Sequence, residues 1–165
     1  VCSNFIIGMP GDTWDDILKT FEFADDMINR KKLLDYALFS VATPLPNTEM
    51  MDTADEMGAL PTGFNPEEFY GFGKGVITTD EFTPEELQIA RAYQWDRINF
   101  RTDRPKHHKK IAKMLGITME ELKNWRQETR RSEGVQVNAA DTADEQFDRP
   151  TTALPNLFHQ STYAN

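Results

Sequence analysis

The residues of this chain that could do chemistry are few, and most of them stand alone. Cys2 is the single cysteine, so neither an internal disulfide nor a cysteine-based metal site can form within the chain. Its expected role is that of a small buried residue. His107 and His108 are adjacent, and a helix turns neighbours to different sides, which argues against a shared metal site. Asp15, Asp16, Asp25 and Asp26 read as the solvated face of a helix, and Met50, Met51 and Met57 as ordinary packing residues. The stretch with most promise is Asn4-Phe5-Ile6-Ile7-Gly8-Met9-Pro10-Gly11-Asp12-Thr13. There an apolar run breaks at a Pro-Gly turn and enters a helix start, whose free amides can face a polar ligand. Gly8-x-x-Gly11-Asp12-Thr13 is too short for a phosphate-cradling loop and lacks the lysine such a loop needs.

The elements that must position this stretch follow from its neighbours. Residues 3–9 are mostly apolar without alternation, the pattern of a strand covered on both faces of a parallel sheet. Pro10 and Gly11 end it, and Asp12 or Thr13 caps the helix that follows. Ile17, Phe21, Ala24 and Ile28 make one apolar stripe on that helix, which ends near Asn29 or Arg30. Leu34 to Ala42 is a second run of strand length. Strand, helix, strand in this order is a βαβ unit with a parallel pair. Thr43-Pro44-Leu45-Pro46-Asn47-Thr48 leaves it as a rigid loop, and a short helix from about Glu49 to Met57 stops at Gly58.

Two strands are too few for an independent sheet. Val76-Ile77-Thr78 is the only further, weak strand candidate. Either the chain pairs with another molecule, or its sheet partners lie upstream of Val1; the second reading is preferred. Residues 58–82 carry Phe64, Phe69, Tyr70 and Phe72 among several glycines. They read as a loop whose aromatics plug one end of a sheet or barrel, or else as a lid near substrate. Thr83-Pro84-Glu85-Glu86 is a capping box, and its helix runs to about Phe100 with Leu87, Ala90, Gln94 (or Tyr93) and Ile98 inward. Pro105 opens a helix through Leu115, and Thr118-x-x-Glu121 caps another to about Arg131. From Ser132 the composition is that of a disordered tail.

The overall balance sets limits. A formal charge of −9 argues against nucleic-acid or membrane-surface binding by the chain as a whole. No apolar run approaches the ~20 residues that span a bilayer, and no secretory signal is visible. A reducing cytoplasm is the expected compartment.

Phe5-Ile6-Ile7-Gly8-Met9-Pro10-Gly11-Asp12-Thr13 resembles the F-I-x-G-x-P-G-E-T segment of radical S-adenosylmethionine enzymes. Asp35-Tyr36-Ala37-Leu38-Phe39-Ser40-Val41-Ala42-Thr43-Pro44-Leu45-Pro46-Asn47-Thr48 resembles the next strand of that family and its T-P-x-P-G-T exit. Both motifs keep the family's order and separation. The aromatic stretch and the helix from Thr83 more loosely resemble the subgroup that also binds cobalamin. The resemblance implies an α/β fold, the last two βα units of a partial (β/α) TIM-like barrel, followed by a mostly helical C-terminal region and a disordered tail. It divides the chain into a barrel part at 1–58, an aromatic and glycine-rich connection at 59–82, a helical region at 83–131 and the tail at 132–165.

Barrels of this kind bind ligands at the C-terminal ends of their strands. The resemblance therefore implies that Ile7, Gly8, Pro10, Gly11, Asp12 and Thr43 shape an S-adenosylmethionine site, with Ile7 against the adenine. Asp12 stands where the family has glutamate, and Asn47 where it has glycine, a departure that bears on the turn after the second strand. The family's cofactors are S-adenosylmethionine and a 4Fe-4S cluster held by a Cys-x3-Cys-x2-Cys motif, and the subgroup adds cobalamin. Flavodoxin or ferredoxin is the implied reductant. Cys2 alone cannot hold the cluster, so the expectation is a fragment whose cluster ligands and cobalamin domain lie upstream, inert by itself.

A reading from a different class competes with it. Lys110 to Arg126 resembles a helix-turn-helix, with Ala112, Gly116 and Leu122 at the spacing that lets two helices cross closely. Arg104 to Arg131 carries nine Lys/Arg against three Glu, about +6, which leaves about −15 for the remainder. The 105–131 segment is therefore the alternative, a DNA-binding module. Against it, Glu120 and Glu121 open the would-be recognition helix.

Overall fold

A computed structural model describes residues 1–65, 75–101 and 105–132. Phe69, Tyr70, Phe72 and the tail from residue 133 lie outside the described residues. Strand β1 (Cys2–Ile7) leads through a Pro-Gly turn to helix α1 (Trp14–Asp25), which continues into a π-helical turn at Asp26–Arg30. Strand β2 (Tyr36–Val41) lies parallel to β1, in register from Cys2 opposite Tyr36 to Ile7 opposite Val41. Helices α2 (Glu49–Glu56), α3 (Pro84–Asn99), α4 (Pro105–Leu115) and α5 (Met119–Ser132) follow. Val76 and Ile77 are buried but form no strand; Thr78 donates to the Ala59 carbonyl instead. Among the described residues no helix is long and apolar enough to cross a membrane.

One core holds these elements together. The ring of Phe39 on β2 meets Phe21 of α1 edge-on at 4.9 Å and stacks on Phe5 of β1 at 5.6 Å. Such pairs add about 0.5–1.5 kcal/mol each beyond the area they bury. Ile7, Ile17, Ala24 and Ile28 join the same core, so the helix stripe read in the sequence is the face that packs. α3 lies against β2 and buries Leu87, Ala90, Gln94, Trp95 and Ile98, and also the polar Asp96 and Asn99.

Three expectations are corrected. β1 is not covered on both faces among the described residues: Ser3, Phe5 and Ile7 face the core, while Cys2, Asn4 and Ile6 alternate outward and are exposed. Cys2 is therefore an exposed thiol and not a buried one. Asp25 is not on a solvated face; it is 4 % exposed and bonded to Asn29 and Arg97. Asp25 lies four residues after Phe21 and eight after Ile17, so the helical periodicity itself places it on the packed face.

Candidate functional site

Because β1 and β2 are parallel, their exit turns, 8–13 and 43–48, leave the same end of the sheet. The first is built on two glycines, with φ of 76° at Gly8 and 91° at Gly11, a region costly for any other side chain. Asp12 closes the turn reciprocally: its amide donates to the Met9 carbonyl at 3.0 Å, and its carboxylate accepts from the Met9 amide at 2.9 Å. In the second turn Asn47 takes φ 61°. Asparagine is among the few residues besides glycine that tolerate this left-handed backbone.

The rim is closed on its helix side. A Cβ built at Gly8 would lie 2.4 Å from Leu87 Cδ1, so α3 packs directly on the turn. Ile7 is 1 % exposed and belongs to the core. Any part it plays in a ligand site comes through its backbone and the packing that fixes it. Its neighbour Ile6, 55 % exposed, is the side chain presented on the open face, beside Leu38 and an Asn4–Ser40 pair with oxygens 3.2 Å apart. The motif gave no sign of which isoleucine faces outward; the strand's alternation, anchored by Phe5, does.

The α1 N-terminus is already occupied. The Thr13 amide donates to Asp16 Oδ2 at 3.1 Å, the Asp16 amide to Thr13 Oγ1 at 3.3 Å, and the Trp14 amide to Glu81 Oε2 at 3.4 Å. The Thr13 hydroxyl and then its amide hold the Asp16 carboxyl below the ordinary value. These amides therefore have no vacancy for a carboxylate or phosphate. Pro10 is half-buried, Gly11 is exposed with open space beside it, and Thr43 donates only a long 3.4 Å bond to the Val41 carbonyl. Gly8 is thus buried beneath Leu87, Gly11 is open, and the described amides at the helix start are already bonded. Among the described residues no group of three or more His, Cys, Asp or Glu could hold a metal ion.

The opposite end of β2 carries a different cluster. Tyr36 accepts from Trp95 Nε1 at 2.8 Å, and burial pushes its phenol up to about 12. Trp95 meets Phe100 and Trp125, and His108 meets Phe100 and sits 3.0 Å from the Arg101 carbonyl. Arg126 forks onto the buried Asp96 and lies over the Phe100 ring at 4.7 Å. Lys110 bonds to Asp35 and holds its carboxyl below the ordinary value. Two basic residues of the helix-turn-helix-like segment are therefore engaged within the chain, and Lys106, Lys109, Lys113 and Lys123 remain exposed. Comparison with protein-family models, curated proteins and solved structures finds no match.

Proposed function

We propose that this chain is part of a radical S-adenosylmethionine enzyme of the cobalamin-linked subgroup. It would supply two adjacent βα units of the partial barrel and the rim turns between which the adenosyl group lies. The observation that carries the reading is the pairing of the two motif-bearing strands. They are parallel, neighbouring and in register, so both exit turns stand at one end, where an α/β sheet binds its ligands. The left-handed Asn47 supports it too, since φ 61° is a backbone that suits the glycine of the family pattern. When bound, S-adenosylmethionine reduced by a 4Fe-4S cluster supplies a 5'-deoxyadenosyl radical, and cobalamin would supply methyl transfer. This chain's own part is to shape the wall at Gly8 and Gly11 and to present Ile6, Asn4 and Ser40 beside it.

The test is the full-length protein, purified without oxygen and supplied with iron and sulfide. It should show the optical absorption of an iron–sulfur cluster and form 5'-deoxyadenosine from S-adenosylmethionine with dithionite. A preceding sequence without three closely spaced cysteines, together with no 5'-deoxyadenosine, sinks the reading. The alternative, DNA binding through 105–131, predicts a gel shift of a short duplex by the whole chain at low salt. No retardation at micromolar protein removes it.

A further inference from the structure

We propose that the acidic segment from Asp141 to Asp148 folds back as a helix onto the lysine face of α4. The inference stands apart from the enzymatic reading. Lys106, Lys109, Lys110 and Lys113 recur at i, i+3, i+4 and i+7, the spacing of one helix face, and all four are exposed. His108, Ile111 and Ala112 lie on the other side of α4 and enter the core. Of the four lysines only Lys110 meets an acid among the described residues, at Asp35. Like charges at i, i+4 weaken a helix, and both Lys106 with Lys110 and Lys109 with Lys113 are such pairs. An anionic cover on this face relieves that repulsion.

The same spacing returns with the sign reversed beyond the described residues. Asp141, Asp144, Glu145 and Asp148 stand at i, i+3, i+4 and i+7, and 133–148 contains no Lys or Arg. Ala139, Ala140 and Ala143 favour a helix, and Pro150 bars its continuation. Asp141 with Glu145 and Asp144 with Asp148 repel when coiled alone, so this segment gains its helix by meeting cations, as segments that fold on binding do. Residues 133–140 tether it to the end of α5. Eight extended residues reach about 26 Å, more than the ~21 Å length of a 14-residue helix such as α5. They can therefore return alongside α5 to α4, which packs on it. The tether also raises the local concentration of these acids above that of any free partner, which favours this chain's own segment over a second copy.

The experiment is NMR line broadening by a nitroxide on the whole chain, carried by Ala143→Cys with Cys2→Ser so that one thiol is labelled. Ala143 lies off the acidic spacing, so the label leaves the contact face free. The amides of Lys106, Lys109 and Lys113 should broaden strongly, and those of α1 should not. With Asp141→Asn, Asp144→Asn, Glu145→Gln and Asp148→Asn together, broadening on α4 should fall to the level of α1. Equal broadening of α4 and α1 in the labelled chain, or broadening on α4 that survives the four substitutions, overturns the proposal. So does broadening found only between a labelled and an unlabelled chain, which assigns the face to a second copy. A short DNA duplex that moves the α4 amides equally with and without the four acids overturns it too.

Discussion

Arg126→Ala should be among the most damaging single changes in the chain. Asp96 is 1 % exposed and receives two bonds from Arg126, Nε at 2.6 Å and Nη2 at 3.1 Å. Removing the guanidinium leaves a buried carboxylate without its charge partner, which costs about 3–5 kcal/mol. The contact with the Phe100 ring adds about 0.5–2 kcal/mol. A loss of about 4 kcal/mol is a large share of the ~5–15 kcal/mol that holds a domain folded. Urea unfolding followed by Trp fluorescence is the assay, because Trp95 and Trp125 lie 5.4 Å apart beside this pair. The double variant Asp96→Leu/Arg126→Met should recover most of the loss, since the penalty lies in the orphaned charge and not in the missing attraction. If Arg126→Ala costs less than about 1 kcal/mol, or if the two substitutions simply add, the pair is not the clamp described here.

Gly8→Ala should cost about 2–3 kcal/mol in the same urea assay, from a left-handed φ and from a Cβ driven against the fully buried Leu87. Adding Leu87→Ala should give a double variant less destabilised than the sum of the singles, and strict additivity would mean that the contact is not felt. Asp35 is held below its ordinary value by Lys110, so its contribution is present above an ordinary carboxyl value near 4 and is lost as pH falls below it. Melting temperatures of Asp35→Asn should therefore fall less steeply than those of wild type between about pH 4 and 2; parallel curves would refute the assignment.

How much of this could be read in the sequence depended on whether local or tertiary contacts decide the outcome. The capping boxes at Thr83 and Thr118 bind residues three apart and mark helix starts in the structure, and of Asp12 and Thr13 it is Thr13 that caps α1. The stripe Ile17, Phe21, Ala24, Ile28 is buried as its spacing requires. Asn99 and Asp96 were illegible because their partners, Ala37 and Arg126, are 62 and 30 residues away. A lone polar residue on a helix gives no sign that it faces a strand edge or a guanidinium. That Ile6 is exposed and Ile7 buried was illegible for a related reason. An unbroken apolar run hides the alternation, and only the aromatic contacts of Phe5 with Phe39 and Phe23 reveal which face is inward.

The two ends of β2 carry different burdens, and this bears on the choice between the two functional readings. At the end where the strands begin, Asp35 meets Lys110, Tyr36 meets Trp95, and the α4–α5 pair is fastened through Phe100, Asp96 and Arg126. At the end where they leave, the turns are made of glycine, proline and a left-handed asparagine, and Gly11 has open space beside it. Parallel sheets bind ligands at the second end and are consolidated at the first. The helix pair that could have read DNA thus has a sufficient reason to exist in packing alone: its buried His108, Ile111, Ala112 and Leu122 and its forked arginine close the lower end of the core. At the other end Gly8 is required by its φ of 76° and the Leu87 side chain above it, and Gly11 by its φ of 91°.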